Sequence, residues 1–243
     1  MPEKSKDHIS IIFVHWAQSE ERSLLARASL KSLQETIRFP AEIVVVDNGN
    51  NLEDSQFFLK QCQDKKIAMY IRNADNMNYS FARNQAMKHI TGDWVAIVDN
   101  DIIYKESWLD ICLKSIGGYL AIPKEQRPSE KIIASPINYP YVHRRDPRWR
   151  HGQVTLKGRV FNITERAGSN CMVMTREALN ELGEFELNKK SGCYYTDNWV
   201  RKGYFVITPE VNWAFDAGLR RGFNFTGGFE IKRTLTDGEI KFA

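Results

Sequence analysis

Two aspartates separated by one residue follow an apolar segment near the middle of the chain. Residues 95–98 are Val-Ala-Ile-Val, and Asp99-Asn100-Asp101, here called the acidic triplet, comes directly after them. A short Val- and Ile-rich run behind a Gly-Asp turn predicts a buried strand. If the backbone stays extended, the two carboxylates point to the same side. Carboxylate oxygens suit a hard divalent cation and, through it, a phosphate; an ordinary strand-to-loop turn is the alternative.

A second apolar run has the same kind of polar end. Residues 43–46 are followed by Asp47-Asn48-Gly49-Asn50. Asn-Gly is a turn dipeptide, so a β-turn is predicted there, and a turn at the edge of a sheet can also bind a ligand. Ligands of open α/β sheets lie beyond the carboxyl ends of the strands. If both strands are parallel, Asp47 and Asp99 therefore lie on the same edge of the sheet.

Strands and helices alternate in the first half of the chain, and these elements must position the two acidic ends. Alternation with short connections predicts an α/β fold whose mainly parallel sheet is covered by helices on both faces. Strands are predicted at 9–14, 43–46, 67–71 and 94–98, and helices after the N-cap Ser19, at about 52–61, after a cap at Ser80 and at about 106–116.

The second half of the chain is less regular. Nothing in the composition suggests a linker, so the prediction is a single domain, 1–243. Strands are predicted at 132–135, 171–174 and 204–207, helices at 176–182 and from about 195 to 203, and a surface loop or hairpin over the aromatic and basic stretch 138–157.

Composition limits the classes of function. The chain has 243 residues, a 42% hydrophobic share, a 26% charged share and a net charge of +4. These values are typical of globular proteins, and the mild charge does not require nucleic acid as a partner. No apolar run is long enough to span a bilayer, and the polar N-terminus is unlike a secretory signal. The four cysteines form no CxxC pair, which favours reduced thiols in a cytoplasmic protein.

The absence of glycine after the first strand argues against two nucleotide-dependent classes. Residues 11–20 contain no Gly. A dinucleotide-dependent dehydrogenase would carry a GxGxxG motif there, and a nucleotidyltransferase that makes activated sugars typically has a Gly-rich, Arg-containing loop at that place. We therefore expect neither class.

The order of the motifs resembles that of family 2 glycosyltransferases, which have the GT-A fold. The resemblance covers residues 9–215, and any single motif carries less weight than the ordered set. In chain order the motifs are Val45-Val46-Asp47-Asn48-Gly49, Asn78 with Ala82-Arg83-Asn84, Gly92-Asp93-Trp94-Val95, the acidic triplet, Gly168-Ser169-Asn170-Cys171-Met172, Leu182-Gly183-Glu184-Phe185-Glu186, and Asp197 with Arg201 and Gly203-Tyr204.

The resemblance implies a Rossmann-like GT-A fold with a nucleotide-sugar-binding half at about 9–116 and an acceptor-binding half at about 117–243. It implies transfer of a sugar from a nucleotide-diphosphate sugar, with UDP-sugars favoured, to a hydroxyl of a glycan or lipid-linked acceptor, as in polysaccharide biosynthesis. The implied cofactor is Mn²⁺ or Mg²⁺, and the implied course is inversion. The expected location is the cytoplasm, with the inner face of a membrane as an alternative.

The resemblance also implies roles for individual residues. A residue at the end of the first strand could stack on the nucleotide base, and Trp16 is the candidate. The other implied roles are a hydrogen bond to the base for Asp47, donor support for Arg83, a place near the ribose or metal for Asp99, metal coordination for Asp101, and general base for Asp197.

Two of these roles have plain alternatives. Arg83 could instead be a solvent-exposed helical cation or pair with Asp75 or Asp93. Asp197 could be a carboxylate that only offsets a helix dipole. A catalytically silent nucleotide- or carbohydrate-binding module is the alternative function.

Several positions depart from the pattern of the family. Asn48 and Thr196 stand where the family often has acidic residues, and no His follows His151, although Asp216 could take a comparable place. The basic stretch 143–151 is a candidate substrate loop, and the tail 220–225 could contact an acceptor or a membrane surface.

Overall fold

A mixed sheet with helices on both faces forms the centre of the molecule. It is seen in a computed structural model that describes residues 8–138, 150–166, 168, 170–187 and 197–217. The strands are β1 (Ile9–His15), β2 (Ala41–Asn48), β3 (Met69–Asn73), β4 (Trp94–Asp99), β5 (Ile102–Tyr104), β6 (Lys131–Ala134), β7 (Arg150–Leu156), β8 (Arg159–Thr164), β9 (Cys171–Thr175), β10 (Tyr204–Pro209) and β11 (Ala214–Asp216). The helices are α1 (Glu20–Thr36), α2 (Leu52–Gln63), α3 (Tyr79–Met87), α4 (Trp108–Leu120) and α5 (Arg176–Leu182), with a 3₁₀ turn at Lys124–Gln126 and helical residues at 197–201.

Nine strands of the described residues form the main sheet in the order β3-β2-β1-β4-β9-β6-β10-β8-β7. The first four strands in this order are parallel, whereas β8 and β9 run against their neighbours. A small second sheet pairs β5 with β11. The prediction of a mixed, mainly parallel sheet is therefore confirmed.

Both faces of the sheet are buried at its centre, because β1, β2 and β4 are apolar at successive positions. In β1, Ile11 and Phe13 pack on one side with α1, α2 and α4, while Ile12 and Val14 pack on the other with α3 and α5. Each fully buried aliphatic side chain contributes about 1.5–3 kcal/mol relative to exposure. This packing fixes the strand ends, from which polar side chains then emerge.

The helix starts follow from side-chain caps, with one correction to the sequence prediction. The Ser19 side chain accepts a hydrogen bond at the start of α1, as predicted. The predicted cap at Ser80 is wrong, since Asn78 is the N-cap of α3 and its side chain accepts from the Ser80 main-chain nitrogen. Asn78 has a φ of 78°, which asparagine tolerates better than most residues.

The second half of the chain completes the sheet and the edges of the core. The stretch predicted as a loop or hairpin contains β7 and, with β8, forms a hairpin, but its residues 139–149 lie outside the described residues. The tail 220–225 and Cys193 lie outside them as well, whereas Cys62, Cys112 and Cys171 are free thiols. Within the described ranges, no helix combines the length and apolar character needed to cross a bilayer.

Candidate active site

Three parallel strands end side by side at one edge of the sheet, here called the carboxyl edge. β1 lies between β2 and β4, with His15 opposite Asp47 and Val14 opposite Asp99. The expectation that Asp47 and Asp99 share an edge is therefore confirmed. A ligand bound across this edge would meet residues of all three strand ends.

Asp47 is fully buried and holds the turn that follows β2. One carboxylate oxygen accepts hydrogen bonds from the main-chain and side-chain nitrogens of Asn50, at 3.0 and 2.6 Å. The other accepts from the hydroxyls of Ser55 and Tyr70, at 2.5 and 2.7 Å. Asp47 thus has four protein donors, and its expected contact with a nucleotide base stays a prediction.

The residues after Asp47 explain a departure from the family pattern. Asn48 donates to the Asn76 side chain at 2.9 Å and accepts from the Asn73 side chain at 3.0 Å. A carboxylate cannot donate, so an acid at this position would lose the first of these bonds. Gly49 has a φ of 83°, and a Cβ there would lie 2.4 Å from the backbone of Asp75, which leaves room only for glycine.

Asp99 is paired with a buried arginine. The Arg83 guanidinium donates to an Asp99 oxygen at 2.8 Å, and the Asp99 side chain remains 19% exposed. The guanidinium carbon lies 3.9 Å from the Tyr79 ring centre and 4.9 Å from that of Phe185. Such cation–π contacts are strongest when the cation is desolvated. The ion pair is therefore made with Asp99, where the sequence had suggested Asp75 or Asp93 as alternatives.

Asp101 lies beside a third carboxylate that comes from the far end of the described chain. β11 pairs with β5 so that Asp216 is opposite Ile102, and the Ala217 main-chain nitrogen donates to the Asp101 carbonyl oxygen at 2.8 Å. Asn170 connects both sides, since its side chain donates to Asp216 at 2.9 Å and its carbonyl accepts from the Asp99 nitrogen at 2.8 Å. Asp216 therefore borders the acidic triplet.

The negative charge of the triplet acts on the buried groups behind it. Burial, the neighbouring Cys171 and the carboxylates of Asp99 and Asp101 raise the pKa of the Tyr104 hydroxyl well above its ordinary value. Burial, with Cys112 and Asp99 contributing, likewise raises the pKa of the Cys171 thiol. A local field of this sign attracts cations.

Trp16 stands at the carboxyl edge on a fixed main chain. Its side chain is 38% exposed, which is high for a large aromatic residue. On both sides of it the backbone is bound by Asn50, which accepts from the Ala17 nitrogen at 2.7 Å and donates to the His15 carbonyl oxygen at 2.8 Å. Asn100 donates to the Trp16 carbonyl oxygen at 3.3 Å. Trp16 is thus adjacent to the acidic triplet.

A two-way amide pair joins α3 to the segment after α5. Asn84 donates to the Phe185 carbonyl oxygen at 2.8 Å and accepts from the Phe185 nitrogen at 2.7 Å. Asn198 donates to the Leu182 carbonyl oxygen at 2.8 Å. Because Phe185 also lies against Arg83, the helical residues 197–201 are connected to Asp99 through consecutive contacts.

Asp197 is half-buried and forms an ion pair with Arg166. Arg166 lies on a fixed segment, since Trp199 donates to the Glu165 carbonyl oxygen at 3.1 Å and Thr164 donates to the Arg166 carbonyl oxygen at 2.9 Å. A carboxylate in this setting can accept a proton only if an incoming hydroxyl competes with the guanidinium.

The carboxylates of the triplet fit an ion that is shared with a ligand. Among the described residues, no cluster of three or more His, Cys, Asp or Glu side chains could hold a metal by itself. Mg²⁺ is usually bound by one or two carboxylates together with substrate phosphates and waters. Asp99 and Asp101 are such an incomplete set.

The sequence of the chain carries a family signature over most of this site. Residues 20–183 match the profile of glycosyl transferase family 2. The chain belongs to this family. The match includes β2, α3, β4 and the acidic triplet, so the predicted family, that of the family 2 glycosyltransferases, is confirmed.

Solved glycosyltransferase structures have the same fold. The mannosyltransferase PcManGT from Pyrobaculum calidifontis, in complex with GDP-Man and Mn²⁺, is 19% identical with a TM-score of 0.64, over 90% of this chain and 59% of that one. S. aureus TarS 1–349 in complex with UDP-GlcNAc is 16% identical with a TM-score of 0.57, over 92% and 62%. GalNAc-T7 with UDP, GalNAc and Mn²⁺ is 13% identical with a TM-score of 0.59, over 85% and 43%. At these identities the likeness establishes the GT-A fold.

A curated relative matches in sequence over part of its length. The protein y4gI of Sinorhizobium fredii (strain NBRC 101917 / NGR234), described as uncharacterized, is 26% identical over 162 residues, which are 62% of this chain and 16% of that protein. The chain thus spans less than two thirds of this relative and of the three structures above.

Three residues of the site were not assigned a site role from sequence. Asn100 and Asn50 fix the main chain around Trp16, and Arg166 pairs with Asp197. Two of them could have been found from the sequence. Asn100 lies between two carboxylates, and Asn50 lies in a polar turn at the end of a predicted strand. Arg166 carried no sequence signal, because its proximity to Asp197 arises only from the fold.

Proposed function

We propose that the protein transfers a sugar from a nucleotide-diphosphate sugar, with UDP-sugars favoured, to a hydroxyl of a glycan or lipid-linked acceptor. The observation that carries this proposal is the adjacency of exposed Trp16 and the acidic triplet on the carboxyl edge. An aromatic face can stack on a nucleotide base, and carboxylates beside it can hold a cation with the diphosphate.

The donor end of the site would be formed by Asp99 and Asp101 with Mn²⁺ or Mg²⁺. When bound there, the ion would stabilise the negative charge that develops on the leaving nucleoside diphosphate. Arg83 holds the Asp99 carboxylate from within the core, so that Asp99 has a fixed position before a donor arrives. PcManGT with GDP-Man and Mn²⁺ and GalNAc-T7 with UDP, GalNAc and Mn²⁺ support this donor class.

Asp197 is proposed as the general base. It would take the proton of the acceptor hydroxyl while that oxygen forms the new glycosidic bond and the bond from the sugar to the diphosphate breaks. A positioned carboxylate contributes about 10²–10⁴-fold in such a role. A single displacement of this kind inverts the anomeric centre. Arg166 orients the carboxylate until an acceptor binds.

Asp47 is proposed to act on the base end of the site through the turn that it holds. Two of its four hydrogen bonds come from Asn50 and keep that residue in place, and Asn50 in turn fixes the main chain beside Trp16. In the alternative, Asp47 accepts a hydrogen bond directly from the base. The two roles differ in what removal of the carboxylate does to protein stability.

A thermal-shift screen tests the donor class. UDP, GDP and dTDP are added with and without Mn²⁺, since a ligand of the folded state raises its apparent stability by mass action. We expect a larger shift with UDP and Mn²⁺ together than with either alone. No shift with any nucleotide would contradict the proposal.

A second assay separates an active transferase from a silent binding module. UDP-, GDP- and dTDP-sugars are incubated with the protein, and the release of nucleoside diphosphate is measured. An active enzyme releases nucleoside diphosphate slowly even when water is the only acceptor, because water then hydrolyses the nucleotide sugar. Binding without any release, with or without candidate acceptors, would favour the silent module.

A further inference from the structure

A histidine with no direct access to solvent ends β1, the strand between the two acidic exits. His15 is fully buried. Its Nε2 lies 3.1 Å from an Asp54 carboxylate oxygen, and its Nδ1 lies 3.0 Å from the Asn100 side-chain nitrogen. An amide nitrogen can only donate, so Nδ1 accepts and Nε2 carries the proton that is donated to Asp54. The imidazole is thus the neutral Nε2–H tautomer.

The inner end of this chain of contacts is a fixed carboxylate. Asp54 is fully buried in the first turn of α2 and accepts from Ser23 at 2.5 Å and from two Arg27 nitrogens at 3.1 and 2.7 Å. Burial acts to raise the pKa of Asp54, but the hydrogen bonds from His15, Ser23 and Arg27 outweigh it and hold the pKa well below its ordinary value. Asp54 is therefore a charged anchor that joins α1, α2 and β1.

The outer end of the chain of contacts is the middle residue of the acidic triplet. The Asn100 amide nitrogen has two hydrogens, and the structure gives it two acceptors, His15 Nδ1 at 3.0 Å and the Trp16 carbonyl oxygen at 3.3 Å. Both hydrogens are therefore used. The orientation of the turn that carries Asp99 and Asp101 is tied to a buried ion-pair network.

We propose that Asp54, His15 and Asn100 form a positioning relay that holds the acidic triplet in its binding orientation. His15 touches neither donor nor acceptor; it acts through Asn100. The relay rests on the proposed donor site, because its effect is exerted on the residues that would hold the cation and the diphosphate. The Trp16 side of the site keeps its own support from Asn50, so loss of the relay affects the cation side first.

The test measures the affinity for UDP and for GDP by calorimetry, each with and without Mn²⁺. Asn100→Ala removes the outer contact while leaving the buried His15–Asp54 pair intact. His15→Phe removes both nitrogens, and His15→Gln retains a donor and an acceptor on one planar group. The matched control is Gln34→Ala, since Gln34 is a half-buried amide that bridges to Gln61 and Lys66 at the far end of α1.

We expect the enhancement of nucleotide affinity by Mn²⁺ to fall about tenfold in Asn100→Ala and His15→Phe, equal to about 1.4 kcal/mol. His15→Gln should recover most of it, the control should match the wild type, and metal-free affinity should change less than twofold. Full enhancement in both Asn100→Ala and His15→Phe would overturn the relay alone. A wild-type protein without any enhancement would overturn the proposed donor site and the relay with it.

The tautomer gives a readout that needs no ligand. Nitrogen NMR of the His15 ring should report a protonated Nε2 and an unprotonated Nδ1 at neutral pH, and Asn100→Ala should shift the Nδ1 signal. A proton on Nδ1, or on both nitrogens, would contradict the relay even if the affinity data agreed with it.

Discussion

The exits of β2 and β4 both carry aspartate, yet their carboxylates have different surroundings. Asp47, next to the last residue of β2, is fully buried and has four protein donors. Asp99, at the end of β4, is 19% exposed and pairs with Arg83, and Asp101 is half-buried. A carboxylate whose oxygens are already saturated stabilises the protein, whereas one that reaches solvent can bind a ligand. Two similar sequence motifs on one edge thus separate into a structural end, at Asp47, and an end that we propose binds the ligand, at Asp99 and Asp101, here called the ligand-binding end.

The largest expected effect tests the ligand-binding end. Asp101→Asn should lower transfer roughly a thousandfold, because a cation at the leaving group contributes several kcal/mol and each 1.36 kcal/mol is a factor of ten. The melting temperature should hardly change. Steady-state transfer with Mn²⁺ measures this, with Asp110→Asn, at a surface pair with Lys114, as the control. Undiminished turnover in Asp101→Asn would contradict the proposal that Asp101 coordinates the cation.

The next effect concerns the proposed base. Asp197→Asn should lower kcat about a hundredfold or more while nucleotide binding survives. Glu177→Gln is the control, because Glu177 is a carboxylate in the first turn of α5 and tests the helix-dipole explanation. Equal losses of binding and turnover in Asp197→Asn, or equal effects of both variants on kcat, would contradict the base.

Asp54 contacts His15 at the end of β1, the strand between β2 and β4. Its contribution to stability can be tested by changing the pH. Asp54→Asn should lower the free energy of unfolding by about 3 kcal/mol at pH 7, since it leaves buried donors without their charged partner. The folded-state pKa of Asp54 is below its unfolded value of 3.8, so this stabilisation is present above about pH 4 and is lost as the pH falls further.

Urea unfolding of the wild type and of Asp54→Asn between pH 7 and pH 3 measures the difference in their free energies of unfolding. The gap between wild type and Asp54→Asn should narrow in acid, whereas Asp64→Asn, at an exposed pair with Lys60, should show almost no gap at any pH. A gap that stays constant down to pH 3 would mean that the carboxylate charge of Asp54 is not what stabilises the fold.

The smallest effects test the structural end. Asp47→Asn should cost about 2 kcal/mol of stability, because it weakens several buried hydrogen bonds, and Tyr70→Phe should cost about 1 kcal/mol, because it removes one of them. Denaturant unfolding gives both values. If Asp47→Asn abolishes UDP binding without loss of stability, Asp47 contacts the base directly and the contrast between the two exits disappears.

The sequence predicted the parts of the site that depend on local pattern. Buried strands with polar ends, the Ser19 cap and the alternation of strands and helices all follow from neighbouring residues, and the structure agrees. Local pattern also caused the errors at element ends. β3 begins at Met69, two residues after the predicted start, and the cap of α3 is Asn78. Asn78, at a positive φ, and Ser80 are both residue types that can cap the start of α3. Which of them does so depends on how the loop before the helix packs.

The remaining parts of the site arise from contacts between distant residues. Asp216 reaches the acidic triplet because β11 pairs with β5, and His15 meets Asp54 across 39 residues of sequence. The spacing of His15 from the other histidines and the cysteines is not that of metal ligands, so the sequence alone favours a structural role for it. Its burial agrees with that interpretation, but its two partners could not be inferred from spacing.

The amide pair between Asn84 and Phe185 has a consequence for how the two proposed substrates would change each other's affinity. Arg83 pairs with Asp99 and lies against Phe185, and Asn84, the next residue, holds the main chain of Phe185. If the proposed donor binds and shifts Arg83, these contacts would carry the shift to the segment whose Leu182 carbonyl oxygen accepts from Asn198, the residue after Asp197. Thermodynamic linkage makes such an effect reciprocal: if the donor tightens acceptor binding through this contact, the acceptor tightens donor binding by the same factor.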